Sequence, residues 1–204
     1  MSNAVKPANQ ILRIWVLRIS AFLILPLFIF SESIYDSESF IVETLEIVGV
    51  FLVIGGVLGR FWSILYIGGR KNKTVIQIGP YSMCRHPLYL FSTISVFGFG
   101  LMTGIIVLAL SITVIIFLTL YYTALREERY LVSEFGSAYA EYAKVTPRIL
   151  PKFSNFRTPT MIKVNTKTLR TNTFDALVFL FLIPLAEILE HVKELDILPS
   201  ITLF

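Results

Sequence analysis

PLYLFSTISVFGFGLMTGIIVLALSITVIIFLTLYYTAL, residues 87–125, runs for 39 residues without a formal charge. That is about twice the roughly 20 residues one helix needs to cross a hydrocarbon core. The run must fold back, and Gly100-Leu-Met-Thr-Gly104 is its only weak point. The reading is therefore a hairpin of two helices, Leu88 to about Leu101 and about Ile105 to Leu125, joined by a very short connection. The whole chain agrees with a membrane protein. Its 204 residues are 55% hydrophobic and 16% charged, against about 25% charged in a soluble domain, and the mean hydropathy is +0.72.

Outward from the hairpin, further apolar runs complete an all-α, polytopic membrane bundle of about five transmembrane helices, read as a single domain over residues 1–204. A first span is expected from about Ile11 to Phe30, with Arg13 and Arg18 able to snorkel to one surface. It is read as retained, because no small-residue cleavage site follows Phe30. A second span is expected from about Ile41 to Gly69, where Arg60 is costly in lipid and must face the bundle interior or the interface. The last apolar stretch, Ala176 to Ala186, has only 11 uncharged residues and contains Pro184. It is read as a fifth span within a C-terminal helix over about 173–204, with an interfacial helix as the alternative.

Charge orients the bundle. Lys6, four basic residues between Arg70 and Arg85, and nine between Arg126 and Arg170 fall on one side, while Glu32, Asp36, Glu38, Glu43, Glu46, Glu190, Glu194 and Asp196 fall on the other. The positive-inside rule puts the N-terminus and both basic segments in the cytoplasm. A net charge of +4 is then explained by loops and lipid headgroups, and nucleic acid is set aside. Cys84 is the only cysteine, which excludes an internal disulfide and a thiolate metal site; no metal ligand set is expected. His191, remote from both basic segments, is read as structural.

The two cytoplasmic segments abut the two ends of the hairpin, so its closure brings them side by side. The first, Lys73 to Tyr89, holds a Gly79-Pro80 turn and presents Arg85, His86 and Tyr89 at the mouth of a helix that starts at Pro87. In the second, Leu131, Phe135, Tyr139 and Tyr142 recur at three- and four-residue spacing, the pattern of one amphipathic helix along the membrane. The pair Glu127-Glu128 at the end of an apolar helix needs cationic partners. It forms either a helix-end ion-pair cluster with Arg85, His86 and Arg148 or a seat for a positively charged ligand.

Gly79-Pro-Tyr-Ser-Met-Cys-Arg-His-Pro-Leu-Tyr89, the hairpin, Glu127-Glu128, Phe135-Gly136, Tyr139-Ala-Glu-Tyr142 and Pro147-Arg148 together resemble the isoprenylcysteine carboxyl methyltransferase and phospholipid methyltransferase superfamily over about residues 66–152. The resemblance implies an integral membrane methyltransferase that uses S-adenosylmethionine in a cytoplasmic pocket built from the two segments. Carried over by position, cofactor contacts fall on Lys73, Thr74, Val75, Ile76, Tyr81, His86, Pro87, Leu88, Tyr89 and Glu127. Arg85, Arg126 and Glu128 are the candidate catalytic residues, with Glu128 or His86 as the base for an amine or thiol acceptor. The implied acceptor is lipophilic and enters from the bilayer; a prenylcysteine-type carboxylate is the first choice, and a phospholipid, amine or thiol is the alternative. Two positions depart from the family pattern. Phe91 stands where many members have glycine, and Thr123 aligns with the arginine that prenylcysteine enzymes turn toward the carboxylate. The rival readings are an NADPH-dependent membrane reductase of the sterol-reductase type and a non-catalytic scaffold. Glu127, Glu128, Tyr81 and Tyr89 favour a sulfonium over a dinucleotide phosphate, which would want converging Arg or Lys.

Overall fold

The computed structural model describes residues 39–70 and 73–194 without a break, together with Pro26, 30–34 and 201–203. Apart from Pro26 and Phe30, the expected first span lies outside the described residues. Helix α1 covers Phe40–Ile67; the Ser39 side chain accepts from Val42 N–H at its start, and Gly68 N–H donates to Ile64 at its end. A one-turn helix α2, Pro80–Met83, precedes the hairpin arms α3, Pro87–Leu101, and α4, Ile106–Phe135. The hairpin turn lies where the charge-free run was weakest. Gly104 takes φ +67°, a conformation that a side chain resists.

The second arm departs from expectation by continuing ten residues past Leu125, so Glu127 and Glu128 sit on the helix rather than in a connecting segment. The amphipathic helix is likewise corrected. Gly136 at φ +53° divides it, leaving Leu131 and Phe135 half-buried on α4 and Tyr139 and Tyr142 buried on a separate helix, α5, Ser137–Val145.

α1 and α3 pack antiparallel at glycine contacts. A Cβ placed on Gly49 would stand 2.6 Å from the Gly98 carbonyl, and one on Gly56 would stand 2.7 Å from the Phe91 carbonyl. Small residues let backbones approach in this way where lipid offers no hydrophobic drive between helices. Around Ile105 and Val53, Phe99, Met102, Leu108 and Ile112 form one apolar core, and Tyr89, Leu120 and Ala124 form a second between α3 and α4. Only 28% of the apolar window of α1, and likewise of α4, is buried within the protein. Phe51, Leu58, Leu110, Val114 and Leu118 point outward, as apolar side chains do when lipid is the solvent.

The C-terminal stretch is not one long helix. It comprises α6, Thr166–Leu177, a 3-10 turn at Val178–Phe181, and α7, Leu182–Glu194. It follows α1 in the opposite direction: Asn165 lies against Gly69, Phe179 takes the Arg60 guanidinium over its ring at 4.7 Å, and Ala186 enters the core beside Met102 and Ile105. Arg60 thus faces the interior, where it also donates to Ser92 Oγ. Two three-residue strands, β1 Ser31–Ser33 and β2 Ile201–Leu203, pair in parallel and add to an otherwise helical fold. Among the described residues two helices, α1 and α4, are long and apolar enough to cross a membrane.

Close packing of α1 on α3 sets one expectation for stability. Gly56→Val should lower the melting temperature in detergent, at a cost of about 1–3 kcal/mol from overpacking, whereas Gly55→Ala, whose Cβ meets nothing within 4 Å, should leave it unchanged. Equal melting of the two variants would contradict the packing.

A candidate active site at the open end of the hairpin

The site is assembled by three stretches of backbone that hydrogen-bond one another. Arg85 N–H donates to the Pro147 carbonyl at 2.9 Å, His86 N–H to Arg148 at 3.0 Å, and Lys152 N–H to Met83 at 3.0 Å. The Tyr142 hydroxyl on α5 donates to the Tyr81 carbonyl at 2.6 Å. Arg157 closes the far side, accepting from Gly79 N–H at 2.8 Å and donating its own N–H to Ser82 Oγ at 3.0 Å. Buried backbone groups are thereby satisfied without regular secondary structure.

At the centre stands Glu128, 7% exposed. Arg148 grips it with two bonds, Nε to Oε1 at 2.9 Å and Nη2 to Oε2 at 3.0 Å. Arg85 Nη1 lies 3.2 Å from Oε2, and His86 Nε2 lies 3.1 Å from Oε1. A carboxylate only accepts, so Nε2 carries the proton. The other ring nitrogen, Nδ1, is 3.8 Å from Glu127, and the ring stacks on Tyr89 at 5.3 Å with 4° between the planes. Arg148 also donates to the Tyr121 hydroxyl at 2.7 Å. Its hydrogen bonds to Glu128 push its pKa higher still.

The two acidic neighbours therefore differ. Glu128 is saturated by cations and organises the site; a carboxylate held this way is a poor proton acceptor, which tells against its expected role as a base. Glu127 is more open, its side chain 24% exposed, one helix step away beside His86. Tyr81 is 5% exposed, and its hydroxyl has no hydrogen-bond partner among the described residues. An orphaned buried hydroxyl is costly and suits a ligand that supplies the missing partner.

Other expected residues are distributed less evenly. Pro87 is fully buried at the first turn of α3, and Leu88 is half-buried behind it. Lys73 and Thr74 are exposed, and Val75 and Ile76 are half-buried on the extended approach to Gly79, outside the Glu128 cluster. Arg126 is exposed, and two residues at 100° each put it on the opposite face of α4 from Glu128. Thr123 bonds within its own helix, to Thr119. Tyr121, which sequence reasoning missed, carries a signal in hindsight: seven residues before Glu128, it shares that residue's helix face. Among the described residues no three His, Cys, Asp or Glu side chains cluster to hold a metal ion.

Comparison with known proteins fits this construction. A phospholipid methyltransferase family model matches residues 44–138, beginning and ending earlier than the resemblance over 66–152 and taking in most of α1. The nickel-cobalt-cadmium resistance protein NccN of Alcaligenes xylosoxydans xylosoxydans is 33% identical over 191 residues, 94% of this chain and 89% of the relative. The cobalt-zinc-cadmium resistance protein CzcN of Cupriavidus metallidurans is 34% identical over 195 residues, 93% of this chain and 87% of the relative. No solved structure matches significantly.

Two outcomes follow from the geometry. Glu128→Gln should strand Arg85 and Arg148, costing about 3–5 kcal/mol and lowering the detergent melting temperature far more than Glu127→Gln; similar melting of the two would deny Glu128 its central place. Cys84 is 1% exposed, and burial pushes its thiol up to about 12, so little thiolate exists at pH 8. Maleimide should label it only after denaturation, and rapid labelling of the folded protein would contradict its position.

With a motif order running from Gly79 through Arg148, a hairpin that turns where expected, and relatives matched over nearly their full length, the chain belongs to the phospholipid methyltransferase family, within the isoprenylcysteine carboxyl methyltransferase and phospholipid methyltransferase superfamily.

Proposed function

We propose that this protein is an S-adenosylmethionine-dependent membrane methyltransferase whose cofactor is held by Glu127, Tyr81, His86 and Tyr89. The carrying observation is the orphaned Tyr81 hydroxyl, set beside Glu127, whose side chain is 24% exposed where that of Glu128 is 10%. The residues suit the group. A carboxylate offers charge-assisted bonds to a cationic amino-acid portion, and the flat Tyr89 ring, backed by His86, suits a sulfonium or an adenine face. When bound, the cofactor supplies an activated methyl group. The chain's part is to orient the donor through Glu127 and Tyr81, to keep His86 fixed by Glu128, and to exclude water with the buried Tyr89, Leu120 and Ala124.

We read the N-terminus and the site as cytoplasmic, with the broken α6–α7 stretch completing a five-span topology; its course along α1 supports this. For the acceptor we favour an apolar-tailed, membrane-associated molecule. A prenylcysteine-type carboxylate has weaker support, since Thr123 bonds its own helix and Arg126 lies on the far face. The relatives' names concern resistance to nickel, cobalt, cadmium and zinc. We assign this chain to the same physiological end, acting by methylation.

Calorimetry on the detergent-purified chain should detect S-adenosylhomocysteine and not NADPH. Glu127→Gln should weaken that binding at least about tenfold, and Tyr81→Phe about fivefold, with melting of the free protein unchanged. NADPH binding, or S-adenosylhomocysteine affinity indifferent to both changes, would overturn the reading. In a metal-sensitive deletion strain, the wild type should restore growth on cobalt and Glu127→Gln should not; full rescue by the variant would sever resistance from the site.

A further inference from the structure

A cavity of about 500 Å³ opens between α1 and α3, lined by Leu58 and Trp62 of α1 and Leu90 and Ile94 of α3, with Met83 and Phe153 at its cytoplasmic end. Its wall is apolar throughout. At 100° per residue, Leu90, Phe91 and Ile94 lie about 100–200° around α3 from Tyr89, so this groove is on a different side of the helix from the methyl-transfer site. The Phe91 ring fills the hollow over Gly59.

The cytoplasmic rim has the opposite character. Lys152 sits between Pro151 and Phe153, both of which line the groove, and its N–H bond to Met83 fixes it there. Its side chain is exposed and meets no carboxylate among the described residues. Phe156 packs on Trp62 with ring centroids 5.9 Å apart, which brings Arg157 to the same rim. The Arg157 guanidinium is exposed and bonds only neutral groups of Gln77, the carbonyl at 3.1 Å and Oε1 at 3.2 Å. Two exposed basic residues that meet no carboxylate among the described residues thus stand at the rim of an apolar groove, with exposed Phe153 and Phe156 beside them. Exposed Phe side chains beside basic residues suit the boundary between headgroups and acyl chains, and basic residues there attract anionic lipid.

We propose that this groove binds one anionic phospholipid, its acyl chain between α1 and α3 and its phosphate at Lys152 and Arg157. The site is independent of the cofactor assignment. Because the Lys152–Met83 bond joins the same two backbone segments that carry Arg85, His86 and Arg148, an occupied groove also braces the site from behind.

Native mass spectrometry of the full-length detergent-released protein, titrated with phosphatidylglycerol or phosphatidylcholine of identical acyl chains, tests this. The expected result is one tight phosphatidylglycerol adduct, preferred at least about fivefold. Lys152→Gln should lose most of that preference while melting as the wild type does, and Leu58→Trp, which fills the groove, should lose the tight adduct. Equal retention of both lipids by the wild type overturns the proposal without recourse to a variant. So would a preference that survives Lys152→Gln with Arg157→Gln, or a lipid-free dimer of the chain that covers the groove.

Discussion

A buried carboxylate has to be paired, and in this protein one carboxylate is paired from several directions. Glu128 comes from the end of α4, Arg85 and His86 from the entry to α3, and Arg148 from the strap beyond α5. Each arrives with its own backbone hydrogen bonds, so the cluster fixes where three separated pieces of chain lie. Desolvating one acid is tolerable because two guanidinium groups and an imidazole N–H supply its bonds. In return, the ring of His86 is held in one orientation and carried face to face with Tyr89. The neighbouring Glu127 stays the more exposed of the two acids.

The division of labour between adjacent glutamates explains how much of the site could be read from the chain. The hairpin was legible because 39 uncharged residues admit no other fold, and the turn at Gly104 because glycine alone interrupts the run. The gathering of Arg85, His86, Glu127, Glu128 and Arg148 was legible for the same reason, since closing the hairpin juxtaposes its two flanks. Which glutamate organises and which stays open was not legible, because that depends on the helical phase of α4 beyond Leu125. The same phase carries Arg126 away from the site and brings Tyr121 in. Spacing alone also merged the end of α4 with α5, because Leu131, Phe135, Tyr139 and Tyr142 keep a helical rhythm across Gly136, where the backbone leaves the helix.

The C-terminal stretch shows where composition stops being informative. Eleven uncharged residues suit a short span or an interfacial helix alike, and α6, the 3-10 turn and α7 do not make one continuous helix. Their path along α1 is set by particular contacts, above all the Arg60 guanidinium over Phe179. An arginine that looked like a liability within the apolar second helix becomes the point at which the C-terminal stretch is attached. Apolar pattern gives no sign of such a pairing, since its partner lies more than a hundred residues away.

The charge cluster also bears on how the protein is made. Arg85 and Glu128 flank the hairpin, so on the five-span topology proposed above they meet only when both of its arms have been threaded and its two ends have returned to the same face of the bilayer. A chain that stalls after one arm leaves an unpaired acid and an unpaired guanidinium on opposite sides, each hydrated and neither able to anchor the strap at Pro147 and Arg148. The ion cluster is thus a check on biogenesis as well as a scaffold. Only a correctly closed hairpin can assemble it, and His86 and Glu127 take their places once closure is complete.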